Sequence, residues 1–164
     1  MSSAPAGSIY AVDTSTLLDW QGRLYPTDVF VSLTDRIDEL IAGGRFLWPA
    51  LVKDEIEKVG TPELIEWAAR HAGAIVSTSE VLAQAQAIQR QFAGLLDPKA
   101  EYEEADAYVI GLARLHGGTV ITAETSASEK HNPKRSHYIP DVCRELGIPC
   151  IGFLGLMRRE GWRF

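Results

Sequence analysis

Apolar positions along the chain alternate between short continuous runs and longer runs that are apolar on one side only. A short continuous run is typical of a strand buried in a parallel sheet, and a one-sided run at helical spacing is typical of a covering helix. The short runs predict strands over residues 9–12, 45–48, 74–76, 119–122 and 148–153. The one-sided runs predict helices over residues 27–42, 50–59, 61–71, 77–96, 101–116 and 140–146.

This alternation of strands and helices predicts one α/β/α sandwich, with a mainly parallel central sheet of about four or five strands. Ser77 and Glu80 form a capping-box pattern that is typical of a helix start. Residues 125–138 are polar and show no periodicity, so they predict a long loop. Residues 1–8 are predicted to be a flexible tail, which leaves residues 9–164 as a single domain.

The composition is typical of a soluble globular protein. The chain has 164 residues, of which 46% are hydrophobic and 23% are charged, and this suits one folded domain. The longest nearly apolar run, residues 148–157, contains proline and glycine and is too short to span a membrane. The first residues show neither the basic nor the apolar part of a secretory signal, so a cytoplasmic protein is predicted.

Two cysteines and a net charge of −6 narrow the classes of function further. Cys143 and Cys150 cannot build a disulfide framework, and no CxxC motif or Cys/His cluster indicates a zinc site. A protein that coats nucleic acid is normally basic, so the negative charge does not favour that class. The charge leaves open an enzyme that meets nucleic acid through bound cations.

Four acidic residues occupy positions that a parallel sheet brings together. Asp13 directly follows the first predicted strand, and Glu124 lies two residues beyond the end of the fourth. Functional side chains of open α/β sheets gather outside the carboxyl ends of the strands. Asp106 lies in the first turns of a predicted helix, and Glu55 lies on the helix after the second strand. Each acid alone is more often a helix cap or a solvated charge, but the two strand ends together predict a shared site.

Four acidic motifs follow one another in the sequence: VDTSTLLD (12–19), VKDEIEK (52–58), EADAYVIGLA (104–113) and VITAE (120–124). In this order they resemble the acidic motifs of PIN domains, small metal-dependent ribonucleases that include the VapC-type toxins of toxin–antitoxin pairs. The similarity extends over about residues 9–153. The segment YIPDVCRELGIPCI (138–151) and the earlier Tyr25-Pro26 also resemble a PIN-like subfamily known mainly as a domain of unknown function. The resemblance implies a PIN-like fold and a nuclease domain over residues 9–164.

The resemblance also implies roles for individual residues. The four acids are carried over as catalytic and metal-ligating residues: Asp13, Glu55, Asp106 and Glu124. PIN domains usually have an aspartate at the fourth position, where this chain has Glu124. Ser15 corresponds to the small hydroxyl residue that accompanies the first acid, and Thr122 could orient the Glu124 carboxylate.

Physical chemistry indicates the cofactor independently of the resemblance. Carboxylates gathered at one sheet edge repel one another, so one or more of them would raise its pKa and bind a proton. A hard divalent cation relieves this repulsion, and all-oxygen ligation favours Mg²⁺ or Mn²⁺ over zinc. The acidic motifs contain no histidine, so neither a histidine-dependent ribonuclease nor a zinc hydrolase is supported. The cation would lower the pKa of a bound water and neutralise charge on the scissile phosphate.

Basic residues concentrate in the predicted loop that follows Glu124. Lys130, Lys134 and Arg135 lie within six residues and are candidate RNA-binding residues, because cations position a nucleic-acid backbone. Such a cluster is as often ordinary solvated surface. A long polar loop without periodicity is more often functional than passive, so we expect this loop to lie over the acidic cleft and hold the RNA backbone.

The predicted function is a metal-dependent endoribonuclease that hydrolyses single-stranded or structured RNA. The resemblance implies the toxin of a toxin–antitoxin pair, with an antitoxin protein as partner and a homodimer as the expected assembly. One alternative is a non-catalytic module that keeps the PIN fold and binds protein. A more remote alternative is an aspartyl phosphatase with Asp13 as its nucleophile, but those enzymes have a second aspartate where this chain has Ser15.

Overall fold

Five strands form an all-parallel central sheet in the computed structural model, which describes residues 7–101 and 103–164. The strands are β1 (Tyr10–Val12), β2 (Phe46–Pro49), β3 (Ile75–Val76), β4 (Thr119–Ile121) and β5 (Cys150–Ile151). Their order across the sheet is β3-β2-β1-β4-β5. β1 is central, because Tyr10 pairs with Phe46 on one side and with Thr119 on the other.

Helices flank this sheet. They are α1 (Thr14–Asp19), α2 (Val31–Ala42), α3 (Ala50–Val59), α4 (Pro62–Arg70), α5 (Thr78–Gln91), α6 (Asp106–His116), α7 (Ile139–Leu146) and α8 (Phe153–Glu160). A π-helical turn over Trp20–Leu24 continues α1, and single 3₁₀ turns lie at Ala72–Ala74, Ala93–Leu95 and Ala127–Glu129. The predicted α/β/α sandwich with a mainly parallel sheet is confirmed. Residues 1–6 of the predicted tail lie outside the described residues.

The three middle strands are mostly buried, as the continuous apolar runs predicted, whereas β5 at the sheet edge is half-buried. All three residues of β1 are inaccessible to solvent, as are Phe46 and Trp48 of β2 and Val120 and Ile121 of β4. Strands with both faces buried need covering elements on both sides of the sheet, and the flanking helices supply them. Across the described part of the chain, no helix is both long and apolar enough to cross a bilayer.

Three helix boundaries differ by more than one residue from the sequence prediction. α2 begins at Val31 rather than at residue 27. α5 ends at Gln91 rather than at residue 96, because the chain turns there to bury Phe92 and Leu95 in the core. The predicted capping box at Ser77 is wrong, since its hydroxyl lies 3.2 Å from the hydroxyl of Ser79 and caps no backbone N–H.

The third boundary lies next to the acidic motifs. α6 begins at Asp106 rather than at residue 101. Just before it, the Glu104 carboxylate accepts a hydrogen bond from the backbone N–H of Asp97, with 3.3 Å between Oε2 and N. This contact uses the Glu104 side chain to satisfy a loop N–H, and Glu104 itself is not helical.

Two helices lie where the pattern predicted none. α1 follows Asp13 directly, and α8 replaces the end of the predicted strand 148–153, of which only Cys150–Ile151 pairs as β5. The ring of Phe153 at the start of α8 stacks on Trp20, with centroids 6.1 Å apart. Tertiary packing of aromatic side chains therefore decides the conformation of these short segments, for which local propensity is a weak guide.

A largely buried ion pair links Arg45, which precedes β2, to Glu160 at the end of α8. The Arg45 guanidinium donates to both carboxylate oxygens of Glu160, over 2.9 Å to Oε1 and 2.7 Å to Oε2. The Tyr10 hydroxyl donates to the same Oε2 over 2.5 Å. Burial raises the pKa of the Tyr10 phenol, and the hydrogen bond to Glu160 and the charge of Glu160 raise it further. These contacts fasten the last helix to the central strand.

Candidate active site

The candidate site lies where the strand order of the sheet reverses. β2 lies on one side of β1 and β4 lies on the other, so the chain changes direction across the sheet at β1 and β4. Open α/β sheets bind ligands outside the carboxyl ends of the strands at such a switch point. Asp13 directly follows β1, and Thr122 and Glu124 follow β4. The sheet thus brings together the two strand ends that the sequence singled out.

Asp13 is held in one orientation by two hydroxyl groups. Its Oδ2 accepts hydrogen bonds from Ser15 Oγ over 2.6 Å and from Thr122 Oγ1 over 2.9 Å. Ser15 in turn accepts a hydrogen bond from the backbone N–H of Ala123 over 3.0 Å. Only 4% of Asp13 is exposed, so these contacts fix a buried carboxylate at the end of the central strand.

Thr122 acts on a different group from the one predicted. Its hydroxyl does not orient the Glu124 carboxylate, because it donates to Asp13 and accepts the backbone N–H of Glu124 over 3.1 Å. The Glu124 carboxylate instead accepts the backbone N–H of Ile139 at the start of α7, over 3.2 Å. Thr122 therefore links the two acids through the backbone of one and the side chain of the other.

The other two predicted acids face a cleft beside Asp13. Glu55 on α3 accepts a hydrogen bond from Thr14 Oγ1 over 2.6 Å. Asp106 is the first residue of α6, a helix whose buried segment 107–113 anchors it against the rest of the fold. The cleft has a volume of about 280 Å³. It is lined by Glu55, Asp97, Glu104, Asp106, Glu124, Lys134, Arg135 and Tyr138.

The four predicted acids share an unfavourable electrostatic environment. Burial raises the pKa of Asp13 and of Glu55, and it raises the pKa of Asp106 well above its ordinary value. The charge of Asp13 further raises the pKa of Glu55, Asp106 and Glu124, whereas Arg135 lowers the pKa of Asp106 and Glu124. Carboxyl groups that repel one another favour the binding of protons or of a cation at the site.

The raised pKa values predict how the stability of the metal-free protein depends on pH. A carboxyl group whose pKa is higher in the folded state stabilises the fold fully at a pH below its unfolded pKa. This contribution to stability is lost as the pH rises through the folded pKa. In EDTA, the free energy of unfolding is therefore expected to fall as the pH rises above the ordinary values of 3.8 for aspartate and 4.5 for glutamate. Urea unfolding across a pH series measures this fall, and a stability that rises with pH over that range would contradict it.

The loop between β4 and α7 lies over the cleft and places Arg135 among the acids. Arg135 Nη1 donates to Asp106 Oδ2 over 3.1 Å and to the backbone oxygen of Leu95 over 2.8 Å. Arg135 Nη2 lies 3.6 Å from Glu124 Oε1, and Nη1 lies 3.9 Å from Glu104 Oε2. Only 16% of the Arg135 side chain is exposed. This candidate RNA-binding residue thus lies inside the acidic cluster.

The other two candidate RNA-binding residues lie further out. Lys130 Nζ stacks 4.3 Å from the ring centre of Tyr138 and donates to Thr125 Oγ1 over 3.1 Å. Lys134 is exposed at the wall of the cleft, and its backbone N–H donates to the Tyr138 hydroxyl over 3.1 Å. Tyr138 therefore organises the loop, since Arg135 also stacks on its ring at 4.5 Å.

Three residues of the cleft were not predicted as site residues: Asp97, Glu104 and Tyr138. Glu104 lies in the EADAY motif two residues before Asp106, so its position in the motif was a signal that could have indicated it. Asp97 and Tyr138 lie in the cleft but outside the helices and strands. The periodicity of apolar residues carries no information about where such segments run.

The chemistry of the donor set fits a hard divalent cation. The available groups are carboxylate and hydroxyl oxygens, which suit Mg²⁺ or Mn²⁺. Within residues 7–101 and 103–164, no three histidine, cysteine, aspartate or glutamate side chains converge closely enough to bind a cation as they stand. The Arg135 guanidinium contacts Asp106 and Glu124 at this place. The residues that could hold a metal after a local rearrangement are Asp13, Glu55, Asp106 and Glu124.

Comparison with known proteins gives a family without an assigned activity. The sequence profile of a family described as a domain of unknown function, DUF4411, matches residues 10–164. The chain matches no curated protein. Any assignment of function therefore has to come from the chemistry of the cleft.

Proposed function

The chain belongs to DUF4411, a family described as a domain of unknown function, and we propose from its cleft that it is a metal-dependent endoribonuclease. One observation carries the proposal. The four acids predicted from the sequence as catalytic residues lie near the switch point of the sheet, where the charge of Asp13 raises the pKa of Glu55, Asp106 and Glu124. Buried carboxylates with raised pKa values in a cleft are candidates for a functional site.

The proposed metal ligands are Asp13, Asp106 and Glu124, with Glu55 beside them. A bound Mg²⁺ or Mn²⁺ supplies a Lewis acid for the scissile phosphate and a water of lowered pKa. Ser15 and Thr122 hold Asp13 Oδ2 through their hydroxyl groups, so the carboxylate of this ligand is already oriented. Thr14 holds Glu55 in the same way through a hydrogen bond of 2.6 Å. Such supporting hydroxyls keep the ligands oriented before substrate arrives.

Substrate recognition is proposed to rest on the loop over the cleft. Lys134 is exposed where the cleft opens, and an exposed ammonium group can contact a phosphate without leaving another charge unpaired. The net negative charge of the protein disfavours nucleic acid, with 22 acidic against 16 basic residues. The positive charge of Lys134 next to the cleft would therefore guide the RNA backbone to the acids.

The experiment that tests the proposed function measures cleavage of labelled RNA and of single-stranded DNA with Mg²⁺, with Mn²⁺ or with EDTA. Metal-stimulated cleavage of RNA is expected. Glu55→Gln is expected to lower the rate roughly 10–100-fold, the loss typical of a removed outer ligand. Glu57→Gln is the matched control on α3, because Glu57 is exposed and pairs with Lys53. Cleavage unaffected by EDTA, or unaffected by Glu55→Gln, would overturn the proposal, and a complete lack of cleavage would favour the non-catalytic alternative.

Loss of Lys134 is expected to weaken RNA binding and to make it less dependent on salt. Lys134→Ala should lower the log–log slope of affinity against salt by roughly 0.7, the value for one lost contact to a single-strand phosphate. Fluorescence anisotropy in Ca²⁺, which we expect to support binding with little cleavage, measures the slope. Lys53→Ala, which removes an exposed cation of α3, is the control. Equal slopes for the wild type and Lys134→Ala would mean that RNA does not contact this residue.

The toxin role, the antitoxin partner and the homodimer stay predictions of the PIN resemblance. An antitoxin encoded beside this protein would bind it and block the proposed cleavage. Co-expression of the neighbouring open reading frame followed by co-purification tests that partnership directly.

A further inference from the structure

The loop that follows Glu124 is anchored to the fold at several points. The Asp141 carboxylate of α7 accepts the backbone N–H groups of Ala127 over 2.9 Å and of Tyr138 over 2.8 Å, which ties both ends of the loop together. In its second half, the backbone N–H of His137 donates to the oxygen of Gly94 over 3.3 Å. These anchors leave the side chain of Arg135 directed into the cleft, where it contacts the acids.

Close packing shows how tightly the loop lies on the segment 93–95. A Cβ atom at Gly94 would lie 1.8 Å from Ser136 Oγ, so the two segments touch without room for another side chain. The Arg135 guanidinium adds a hydrogen bond to the neighbouring Leu95 oxygen. The guanidinium thus bridges the segment 93–95 and the acids of the cleft, and its placement depends on both.

Arg135 uses the same oxygen atoms that a metal would need. Its Nη1 contacts Asp106 Oδ2 at 3.1 Å, and its Nη2 lies 3.6 Å from Glu124 Oε1. A guanidinium and a divalent cation cannot share these oxygen atoms at bonding distance, because both are positive and each needs the space. The cation brings twice the charge of the guanidinium, so it can outcompete the guanidinium where its concentration is sufficient.

We propose that Arg135 is the built-in counter-cation of the site in the metal-free protein, and that a divalent cation replaces it at Asp106 and Glu124 and releases the loop from the segment 93–95. This inference rests on the metal site of the proposed function. The positive charge of Arg135 offsets the repulsion between the acids, and this keeps the cleft closed in the metal-free protein. Metal binding and release of the loop are then coupled in one equilibrium, because a ligand shifts a protein toward the state that it binds better.

Metal affinity tests the exchange without any measurement of activity. In calorimetric titrations with Mn²⁺, Arg135→Gln is expected to bind the metal about tenfold or more tightly than the wild type, because the competing cation is gone. Lys134→Gln is the matched control, since it removes an adjacent charge that lines the same cleft without pairing with Asp106. We expect a markedly smaller change in affinity for the control, and the difference between the two variants isolates the effect of the contact.

The outcomes separate the exchange from the proposed function. Equal or weaker Mn²⁺ binding by Arg135→Gln, with wild-type binding intact, would overturn the exchange and leave the metal site standing. A gain in Lys134→Gln as large as in Arg135→Gln would also overturn it, since general charge would then explain both. Absence of Mn²⁺ binding in the wild type and in both variants would overturn the metal site together with the exchange.

Hydrogen–deuterium exchange of the wild type provides a test that needs no variant to fold. Mn²⁺ is expected to accelerate exchange of the backbone amides in the second half of the loop, His137 among them, because the hydrogen bond from His137 to Gly94 opens when the guanidinium leaves. In Arg135→Gln the loop is expected to exchange fast with and without metal. Protection of this loop by Mn²⁺ in the wild type would overturn the proposal.

Discussion

Asp13→Asn is expected to lower metal-dependent RNA cleavage by roughly 10²–10³-fold, a loss typical of removing one preorganised charge from an active site. The same variant is expected to lose the rise in melting temperature that Mg²⁺ or Mn²⁺ gives the wild type, because a ligand stabilises only the native state that binds it. Without metal, it should be as stable as the wild type or more stable. Its carboxyl group is buried and raises the pKa of Asp106, Glu55 and Glu124, so removing the charge removes repulsion.

Asp19→Asn is the matched control for this prediction. Asp19 ends α1, the helix that Asp13 precedes, and its carboxylate pairs with Arg23 at the surface, 3.2 Å away. The control undergoes the same chemical change outside the cleft, so its cleavage rate and its thermal shift with metal should equal those of the wild type. Differential scanning fluorimetry and a gel assay of cleavage measure both quantities. Full activity of Asp13→Asn, or an undiminished metal-dependent shift, would contradict the assignment of Asp13 as a ligand.

Glu160→Ala is expected to lower the free energy of unfolding by about 3 kcal/mol, the loss typical of breaking a buried ion pair. Only 10% of the Glu160 side chain and 22% of the Arg45 side chain are exposed. The variant leaves the Arg45 guanidinium without its bidentate partner and Tyr10 without the acceptor of its hydroxyl. The cost comes mainly from the groups left unpaired, because burial of an unpaired charge is unfavourable.

A surface pair provides the comparison for Glu160. Glu66→Ala breaks the pair with Arg70, whose atoms lie 3.3 Å apart, but 74% of the Glu66 side chain is exposed. Exposed pairs of this kind contribute about 0.5 kcal/mol. Adding Arg45→Met to Glu160→Ala should restore part of the lost stability, since it removes the stranded charge. Urea unfolding measures all three variants, and equal losses in Glu160→Ala and Glu66→Ala would contradict the account of the buried pair.

The elements that could be predicted from sequence have strong local signals at both ends. The helix predicted over residues 50–59 has those bounds in the structure, because Pro49 precedes it and Gly60 follows it. Gly60 also lies so close to the preceding turn that a Cβ there would be 2.6 Å from the Ile56 oxygen. The strand runs could be predicted for a similar reason, since a buried parallel strand requires a continuous apolar run.

Elements decided by distant contacts could not be predicted in this way. α8 begins at a phenylalanine that packs on Trp20, which lies far away in the sequence, and the apolar run alone suggests a strand there. The same distinction applies to the residues of the candidate site. Asp13 and Glu124 follow strand ends, so the sheet determines their positions, whereas Glu104 and Arg135 lie on irregular segments. Which acids Arg135 contacts depends on the packing of its loop against Gly94, and no sequence pattern encodes that.

The hydrogen bond from Thr122 to Asp13 joins residues 109 positions apart, and this separation sets when the site can form during synthesis. A growing chain presents its N-terminal part first, so β1, β2 and β3 leave the ribosome before β4 exists. Until β4 pairs with β1, Asp13 lacks one of its two hydroxyl partners and Glu124 has no strand to carry it. A fragment that ends before β4 therefore cannot assemble the acidic cleft, so the proposed nuclease site forms only after β4 has been translated.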